Sequence, residues 1–281
     1  MSPAAPARRT RRPDRHDLAT GVPRAASEQF RMRVAAVADL GAGMRRVTFE
    51  APELADFSCV GPDEYFGLMM PPAGGALVLP PPSSGNVRAA ITRLPATDRP
   101  DLRWYTVRHH DRDHGRIDVD VVTHGDSGPG SAWTLRARPG DEVGFHCGGA
   151  LWRGGETTGR RLLVADETAV PSVAAIVDAS GGPATVRSGG LEVHLELADP
   201  AVLSAYDLGP VHVHRRERTP GSSVLPVLRA RVADLVDVTY AWACGESDLA
   251  ADVRRLLVRE VGMDRRDVFF CGFWKVGQAR G

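Results

Sequence analysis

Arg103-Trp104-Tyr105-Thr106-Val107-Arg108 and, roughly twenty residues later, Thr123-His124-Gly125-Asp126-Ser127-Gly128-Pro129-Gly130-Ser131-Ala132-Trp133 decide how this chain reads. The first stretch has the period of a strand. Arg103, Tyr105 and Val107 share one face, and Trp104, Thr106 and Arg108 the other. It offers two guanidiniums, a phenol and a hydroxyl within one short element. Guanidiniums clamp phosphate oxygens through a rigid fork of donors, and a tyrosine ring can lie flat on a planar heterocycle. The second stretch is a glycine-rich turn running into a helix, with Ser131 near the helix start. Helix N-termini expose unpaired N–H groups and a partial positive charge, which suits a pyrophosphate. An aromatic platform, arginines and a phosphate-binding turn together meet the needs of a flavin dinucleotide.

Working outward, the segment before Phe30 is rich in Arg, Ala and Pro and has no periodicity, so residues 1–27 are expected to lack structure. Strands are expected at Arg31–Val37, Arg45–Phe49, Tyr65–Met70, Ile117–Val122 and Glu142–His146, with a short helix at Ser131–Arg138. Pro71 to Gly85 is a Pro/Gly/Ser-rich surface loop. Short strands, many turns and one helix predict a small antiparallel barrel.

The pattern changes after a glycine-rich linker, Gly148 to Gly159. Strands at Arg161–Ala165, Leu191–Leu197, Val211–Arg215, Tyr240–Cys244 and Val268–Cys271 alternate with helices at Val170–Ala179, Val224–Ala233 and Asp248–Glu260. Alternation of this kind predicts a parallel sheet with helices on its faces. A ligand is expected beyond the carboxyl ends of its strands. There is no G-x-G-x-x-G, so the ordinary dinucleotide fingerprint is absent. The fold expected is an antiparallel β-barrel over residues 28–150, carrying the flavin stretches, then an α/β parallel-sheet domain over residues 160–281.

Composition narrows the function. The chain has 281 residues, 43% of them hydrophobic, enough for two packed cores. Its 35 basic and 35 acidic residues cancel, which argues against nucleic acid as a partner. No apolar run reaches the length of a membrane span. Arg8-Arg9 and Arg11-Arg12 are not followed by an apolar segment, so a cytoplasmic, monomeric protein is expected. Cys59, Cys147, Cys244 and Cys271 are scattered, with no C-x-x-C pair and no zinc-like spacing. Buried thiols are the default reading, and no metal site is expected.

The two opening stretches resemble motifs of the siderophore-interacting proteins, FAD-dependent ferric-siderophore reductases of the ferredoxin–NADP reductase superfamily. Arg103–Arg108 is similar to the family's R-x-Y-T-x-R. His124, Gly125, Gly128, Pro129 and Trp133 match H-G-x-x-G-P-x-x-x-W. Asp166-Glu167-Thr168-Ala169 matches D-E-T-A, and Gly272-Phe273-Trp274-Lys275-Val276-Gly277 resembles G-Y-W-R-x-G. The four lie in register from about Phe30 to Gly277.

The resemblance implies FAD as cofactor, NAD(P)H as electron donor and a ferric siderophore as substrate. Tyr105 would be the platform for the isoalloxazine ring, Thr106 a donor near its N5 edge, and Arg103 and Arg108 ligands of phosphate or ribityl oxygens. Taken alone, an ordinary strand with surface arginines explains the same residues. His124 and Gly125 would approach the flavin or its phosphate. Gly128, Pro129, Gly130 and Ser131 would form the phosphate turn, while Trp133 reads equally as core. Asp166, Glu167 and Thr168, at the end of the first parallel strand, would lie near a nicotinamide dinucleotide; a helix N-cap explains them too. Cys244-Gly245-Glu246 is similar to the C-G-P turn of ferredoxin–NADP reductases, though this family usually has alanine at the first position. Arg215, Arg216 and Arg218 are candidates for a 2′-phosphate. Trp274 and Lys275, the chain's sole lysine, would meet the anionic substrate.

One departure stands out. Many relatives carry a lysine in a strand matching Tyr65-Phe66-Gly67-Leu68, where this chain has Gly67. Other acceptors therefore stay open, among them free flavin, a quinone or a partner in a biosynthetic pathway. Ferredoxin is an alternative donor, and a non-catalytic binder of iron chelates is a third class.

Overall fold

The computed structural model describes residues 17–81, 86–123 and 128–278. Eight strands form an antiparallel sheet: β1 Val22–Pro23, β2 Gln29–Gly41, β3 Met44–Glu50, β4 Tyr65–Met70, β5 Asp101–Thr106, β6 His109–Asp111, β7 Arg116–Val122 and β8 Glu142–Ala150. Their order is β5-β4-β8-β2-β3-β7-β6, with β1 paired to the end of β8. No ladder joins the edge strands β5 and β6. The chain itself links them, because they are consecutive. The Val107 N–H bonds to Glu64 O at 2.7 Å and the Arg108 N–H to Asp118 O at 2.8 Å, so one bent strand passes from one edge to the other. The expected barrel is thus a curled open sheet rather than a closed ring. Phe66 stacks on Phe145 at 4.8 Å, and Phe30 on the same ring at 4.5 Å, filling its interior. Three short helices attach to it: α1 Glu53–Asp56, α2 Val87–Thr92 and α3 Pro129–Arg136.

The second sheet is wholly parallel: β9 Arg160–Asp166, β10 Leu191–Leu197, β11 His212–Arg215, β12 Val238–Glu246 and β13 Val268–Trp274, in the order β11-β10-β9-β12-β13. Helices α4 Val170–Ala179, α5 Pro183–Arg187, α6 Val224–Ala230 and α7 Ser247–Leu256 cover it. Every residue of β10 is buried, as burial of a sheet on both faces requires. α7 carries Leu249, Val253 and Leu256 on its buried stripe, as its period predicts.

Several elements differ from the sequence reading. Inside the segment expected to lack structure, Leu18 and Arg24 are anchored. Leu18 joins the core beside Trp152, and Arg24 bonds Glu64 at 2.9 Å while lying 4.0 Å from the Phe57 ring. The glycine-rich linker starts later than expected, because Gly148 to Ala150 belong to β8. Helix α2 was not foreseen; Asn86 caps it by accepting from the Arg88 and Ala89 amides.

The two sheets are bound to each other. Asp120 of β7 holds Arg46 through two hydrogen bonds of 2.7 and 2.8 Å and accepts from the Tyr206 hydroxyl at 2.8 Å. Met44, a barrel residue with no exposure, lies in the core of the parallel sheet.

Candidate active site

A cleft runs between β5 of the barrel and the carboxyl ends of β9 and β13. It comprises two joined cavities of about 560 and 300 Å³, both lined by Trp104, Tyr105, Asp120, Thr168 and Phe273. This is the size and place expected of a small-molecule site in an open parallel sheet.

The larger cavity gathers the two opening motifs. Arg103, Tyr105, Gly128, Pro129, Gly130 and Ser131 line it together. Gly128 is the N-cap of α3 and Pro129 its first residue, where a missing N–H costs nothing. A β-carbon on Gly130 would sit 2.2 Å from the Tyr105 hydroxyl and 3.4 Å from Arg103 Cγ. Only glycine lets the helix start come this close to the tyrosine. Burial pushes the Tyr105 phenol up to about 12, against the opposing pull of Arg103, so the ring is neutral. His124 and Gly125 lie outside the described residues. Trp133 is core, stacked on Phe49 at 6.1 Å.

The smaller cavity holds Thr106, whose hydroxyl is 2.6 Å from the Ser172 hydroxyl on α4. Asp63 borders it. One Asp63 oxygen accepts from the Leu151 and Trp152 amides at 3.0 and 2.9 Å, while the other is buried without a partner. Burial raises this carboxyl to about 6.

Arg108 is not brought to the cleft. Its guanidinium, 9% exposed, pairs with Asp178 of α4 at 2.8 Å and packs over the Tyr206 ring. The reason is the bend at Val107, which ends the strand alternation at Thr106.

Asp166 ties four hydrogen bonds together behind the cleft. It has no exposure and accepts from Thr168 N–H at 2.9 Å, Thr168 Oγ1 at 2.6 Å, Glu246 N–H at 2.7 Å and Trp274 Nε1 at 2.8 Å. Burial, with Glu167 nearby, raises its carboxyl to about 6. Gly245, at φ +134°, passes so near that a β-carbon would meet the Asp166 carboxyl carbon at 2.6 Å. Glu167 is tied to Arg216, with one contact of 2.9 Å, so in this structure that guanidinium is turned to the carboxylate. Of the D-E-T-A stretch, Thr168 faces the cleft.

Cys244 has no exposure and belongs to the core under the sheet. Glu246 caps α7 by accepting from the Asp248 and Leu249 amides at 2.7 and 3.0 Å. The Cys244-Gly245-Glu246 turn therefore shapes the cleft without lining it. Trp274 and Lys275 stand at the mouth of the larger cavity with Arg88. The Lys275 ammonium lies 3.4 Å from Asp248, both groups partly in solvent.

Sequence reasoning missed Trp104, Ser172 and Cys271 as cleft residues. Trp104 sat inside the quoted motif without a role. It packs edge-on against Tyr65 at 5.5 Å and His146 at 6.2 Å. Gly67 lies between its register partners Trp104 and His146. A β-carbon there would be 2.7 Å from Leu102 Cδ1 and 3.5 Å from Trp104 Cζ3.

The residues present fit a flavin dinucleotide. The cleft joins a flat neutral phenol, a guanidinium and a helix N-terminus, with a glycine where a β-carbon would close the gap. A curled antiparallel sheet joined to a five-stranded parallel sheet across such a cleft defines a two-domain flavoprotein fold. The match to known families is specific. Residues 33–150 match the siderophore-interacting FAD-binding domain and residues 158–277 the siderophore-interacting protein domain. The chain belongs to the siderophore-interacting protein family.

Among similar proteins is the ferric vibriobactin reductase ViuB of Vibrio cholerae, 25% identical over 242 residues, covering 83% of this chain and 84% of that protein. The mycobactin import ATP-binding/permease protein IrtA of Mycolicibacterium thermoresistibile is 29% identical over 184 residues, 64% of this chain and 20% of the transporter's length. Among solved structures, a siderophore utilization protein from T. fusca superposes with a TM-score of 0.71 at 27% identity, covering 91% of this chain and 95% of that one. Among the described residues, no helix is long and apolar enough to cross a membrane.

Proposed function

We propose that the chain is an FAD-dependent reductase that passes electrons from NAD(P)H to a ferric siderophore, releasing iron(II). The observation that carries this reading is the meeting of Tyr105, Arg103 and the Gly128–Ser131 helix start in one cleft, at the carboxyl ends of a parallel sheet. The barrel, residues 28–150, would hold the flavin and residues 160–281 the electron donor. Held by Tyr105, Arg103 and the α3 N–H groups, FAD would supply the exchange between a two-electron hydride donor and a one-electron acceptor.

The chain's residues supply position. Tyr105 offers the stacking face, Arg103 and the α3 N–H groups bind phosphate, and Thr106 offers a hydroxyl held by Ser172. Thr168 borders both cavities where the donor would enter. Lys275 and Arg88 place cations at the mouth, where an anionic chelate would be drawn in. Oxygen ligands hold iron(III) far better than iron(II), so one-electron reduction loosens the chelate. Two ferric chelates are reduced for each NAD(P)H oxidised. Geometry between donor and acceptor governs the rate, and no side chain need act as acid or base. A soluble cytoplasmic monomer is part of this reading.

Gly67 favours a second reading, the same reductase acting on another acceptor. A side chain there would first meet the Leu102 Cδ1 methyl, with Trp104 at ordinary contact distance beside it, and that wall of the cleft is aromatic. An anaerobic NAD(P)H titration with and without ferric siderophore tests both. Flavin reduction followed by siderophore-dependent reoxidation supports the proposal. Reduction without reoxidation moves the acceptor elsewhere. Reduction by reduced ferredoxin but not by NAD(P)H replaces the donor, and binding of the chelate without electron transfer leaves a binder.

A further inference from the structure

Cys244 and Cys271, far apart in sequence, occupy facing register positions on β12 and β13. Neighbouring strands run about 4.8 Å apart, which is within the Cα separation of roughly 4.4–6.8 Å that a disulfide spans. Register partners in a parallel pair project from the same face, and the packing agrees. Cys244 belongs to the core containing Trp242, and Cys271 and Phe273 pack against that same core.

The two thiols differ in access. Cys271 is partly exposed and forms part of the floor of the smaller cavity with Thr106 and Ser172. Cys244 lies behind it with no exposure. An oxidant in the cavity therefore meets Cys271 first; burial, with Cys271 nearby, holds the Cys244 thiol above its ordinary range, and Cys244 gives up its proton only in the resolving step. This is the arrangement of an attacked thiol in a cleft with a resolving thiol behind it.

We propose that Cys271 and Cys244 are a peroxide-responsive dithiol at the floor of the cleft. Hydrogen peroxide oxidises the Cys271 thiol to a sulfenic acid, and its other oxygen leaves as water. The Cys244 sulfur then displaces the sulfenic hydroxyl, which departs as a second water with the Cys244 proton. Two thiols lose two electrons, peroxide gains them, and one S–S bond forms. The bond links the ends of β12 and β13 and turns the Cys271 sulfur from the cavity toward Cys244. Those ends carry the Glu246 turn and Trp274, both bonded to Asp166, so the link acts directly beneath the cleft mouth. Dithiothreitol reverses it.

The pair needs neither flavin nor siderophore, so its test stands apart from the proposed activity. Purified protein is treated with hydrogen peroxide, alkylated in denaturant and mapped by peptide mass spectrometry with and without dithiothreitol. The expected result is joint loss of the Cys244 and Cys271 thiols with a linked peptide that reduction removes, while the Cys147 thiol is retained. In Cys244→Ala the same dose carries Cys271 on to sulfinic acid, and in Cys271→Ala the Cys244 thiol survives. If Cys244→Ala does not fold, the map of the unmodified protein decides. Sulfinic acid at Cys271 beside an intact Cys244 thiol in that protein would overturn the proposal. So would a bridge from Cys271 to Cys59 or to another chain, or no reaction at Cys271.

Discussion

The Tyr105 hydroxyl occupies the place where a β-carbon on Gly130 would have to be, 2.2 Å from its ideal position. The strand motif and the helix-start motif are thereby locked to each other. Gly130→Ala must push the ring aside or shift the helix, and either opens the cleft wall. We expect it to lower FAD affinity about tenfold or more, equivalent to about 1.4 kcal/mol, measured by fluorescence titration of the stripped protein. Tyr105→Ala, which removes the obstacle, is expected to loosen the flavin and alter its spectrum. Arg103→Ala is expected to weaken affinity with little spectral change, because it acts at the phosphates. Equal, negligible losses for all three would place the flavin elsewhere.

Arg108 carries a different expectation. It bridges the barrel to α4 through Asp178, and its buried Nε has no partner. Arg108→Ala should cost about 1–2 kcal/mol of stability, because Asp178 is half in solvent and only the arginine side chain is largely enclosed. FAD affinity should change less than twofold. A double-mutant cycle with Asp178→Ala measured by urea unfolding checks the pair. A large loss of flavin with unchanged stability would restore Arg108 as a phosphate ligand.

This case shows where the sequence was legible and where it was not. Period-two alternation at Ile117–Val122 and the buried run at Leu191–Leu197 located their strands, because burial on one face or two leaves its mark in composition. The α7 stripe did the same. The place of Arg108 in the cleft rests on the match to R-x-Y-T-x-R, and nothing in R-W-Y-T-V-R signals that the chain changes partner strand at Val107. Asp166 and Glu246 were read as cofactor residues from their motifs, whereas their hydrogen bonds are spent on amides, an indole and a helix start. The same acidic side chains serve either purpose, and only the fold distinguishes them. The Cys244–Cys271 pairing depends on strand register, which no local spacing encodes.

Asp63 gives a pH signature. Its carboxyl is raised from 3.8 to about 6 by burial, so the folded state holds the proton more tightly than the unfolded chain. The contribution is fully present below about pH 4, falls as pH rises toward 6 and is absent above, amounting to about 3 kcal/mol at most. Asp166 acts in the same direction and window. Glu192 and Asp118, both held below the usual carboxylate range, act with opposite sign and only under more acidic conditions. Asp63→Asn keeps an oxygen for the Leu151 and Trp152 amides and cannot ionise. We expect its melting temperature to respond differently to pH between 4.5 and 7, the component that falls with rising pH being reduced, measured by calorimetry with saturating flavin. The remaining slope belongs to Asp166 and Glu64, opposed by His146, His194 and His214, which burial holds below the ordinary imidazole range. An unchanged slope would show that Asp63 does not titrate there.

Lys275 tests the substrate. It stands at the cleft mouth and its partner Asp248 is 71% exposed, so the ion pair is weak and the ammonium can serve an incoming anion. With Gly67 where relatives carry lysine, more of the recruitment falls to this residue. Lys275→Ala is expected to raise the apparent KM for an anionic ferric siderophore severalfold, about 1 kcal/mol, with the difference narrowing as salt screens the charges. Asp248→Asn, which removes the competing carboxylate, should lower KM. FAD content and reduction by NAD(P)H should stay near normal in both. Steady-state kinetics at two salt concentrations on the three proteins decide the point. If neither substitution moves KM, Lys275 is a solvated residue near the end of β13. If the unmodified protein fails to reduce any ferric siderophore while NAD(P)H still bleaches its flavin, the aromatic wall around Trp104 becomes the guide to a different acceptor.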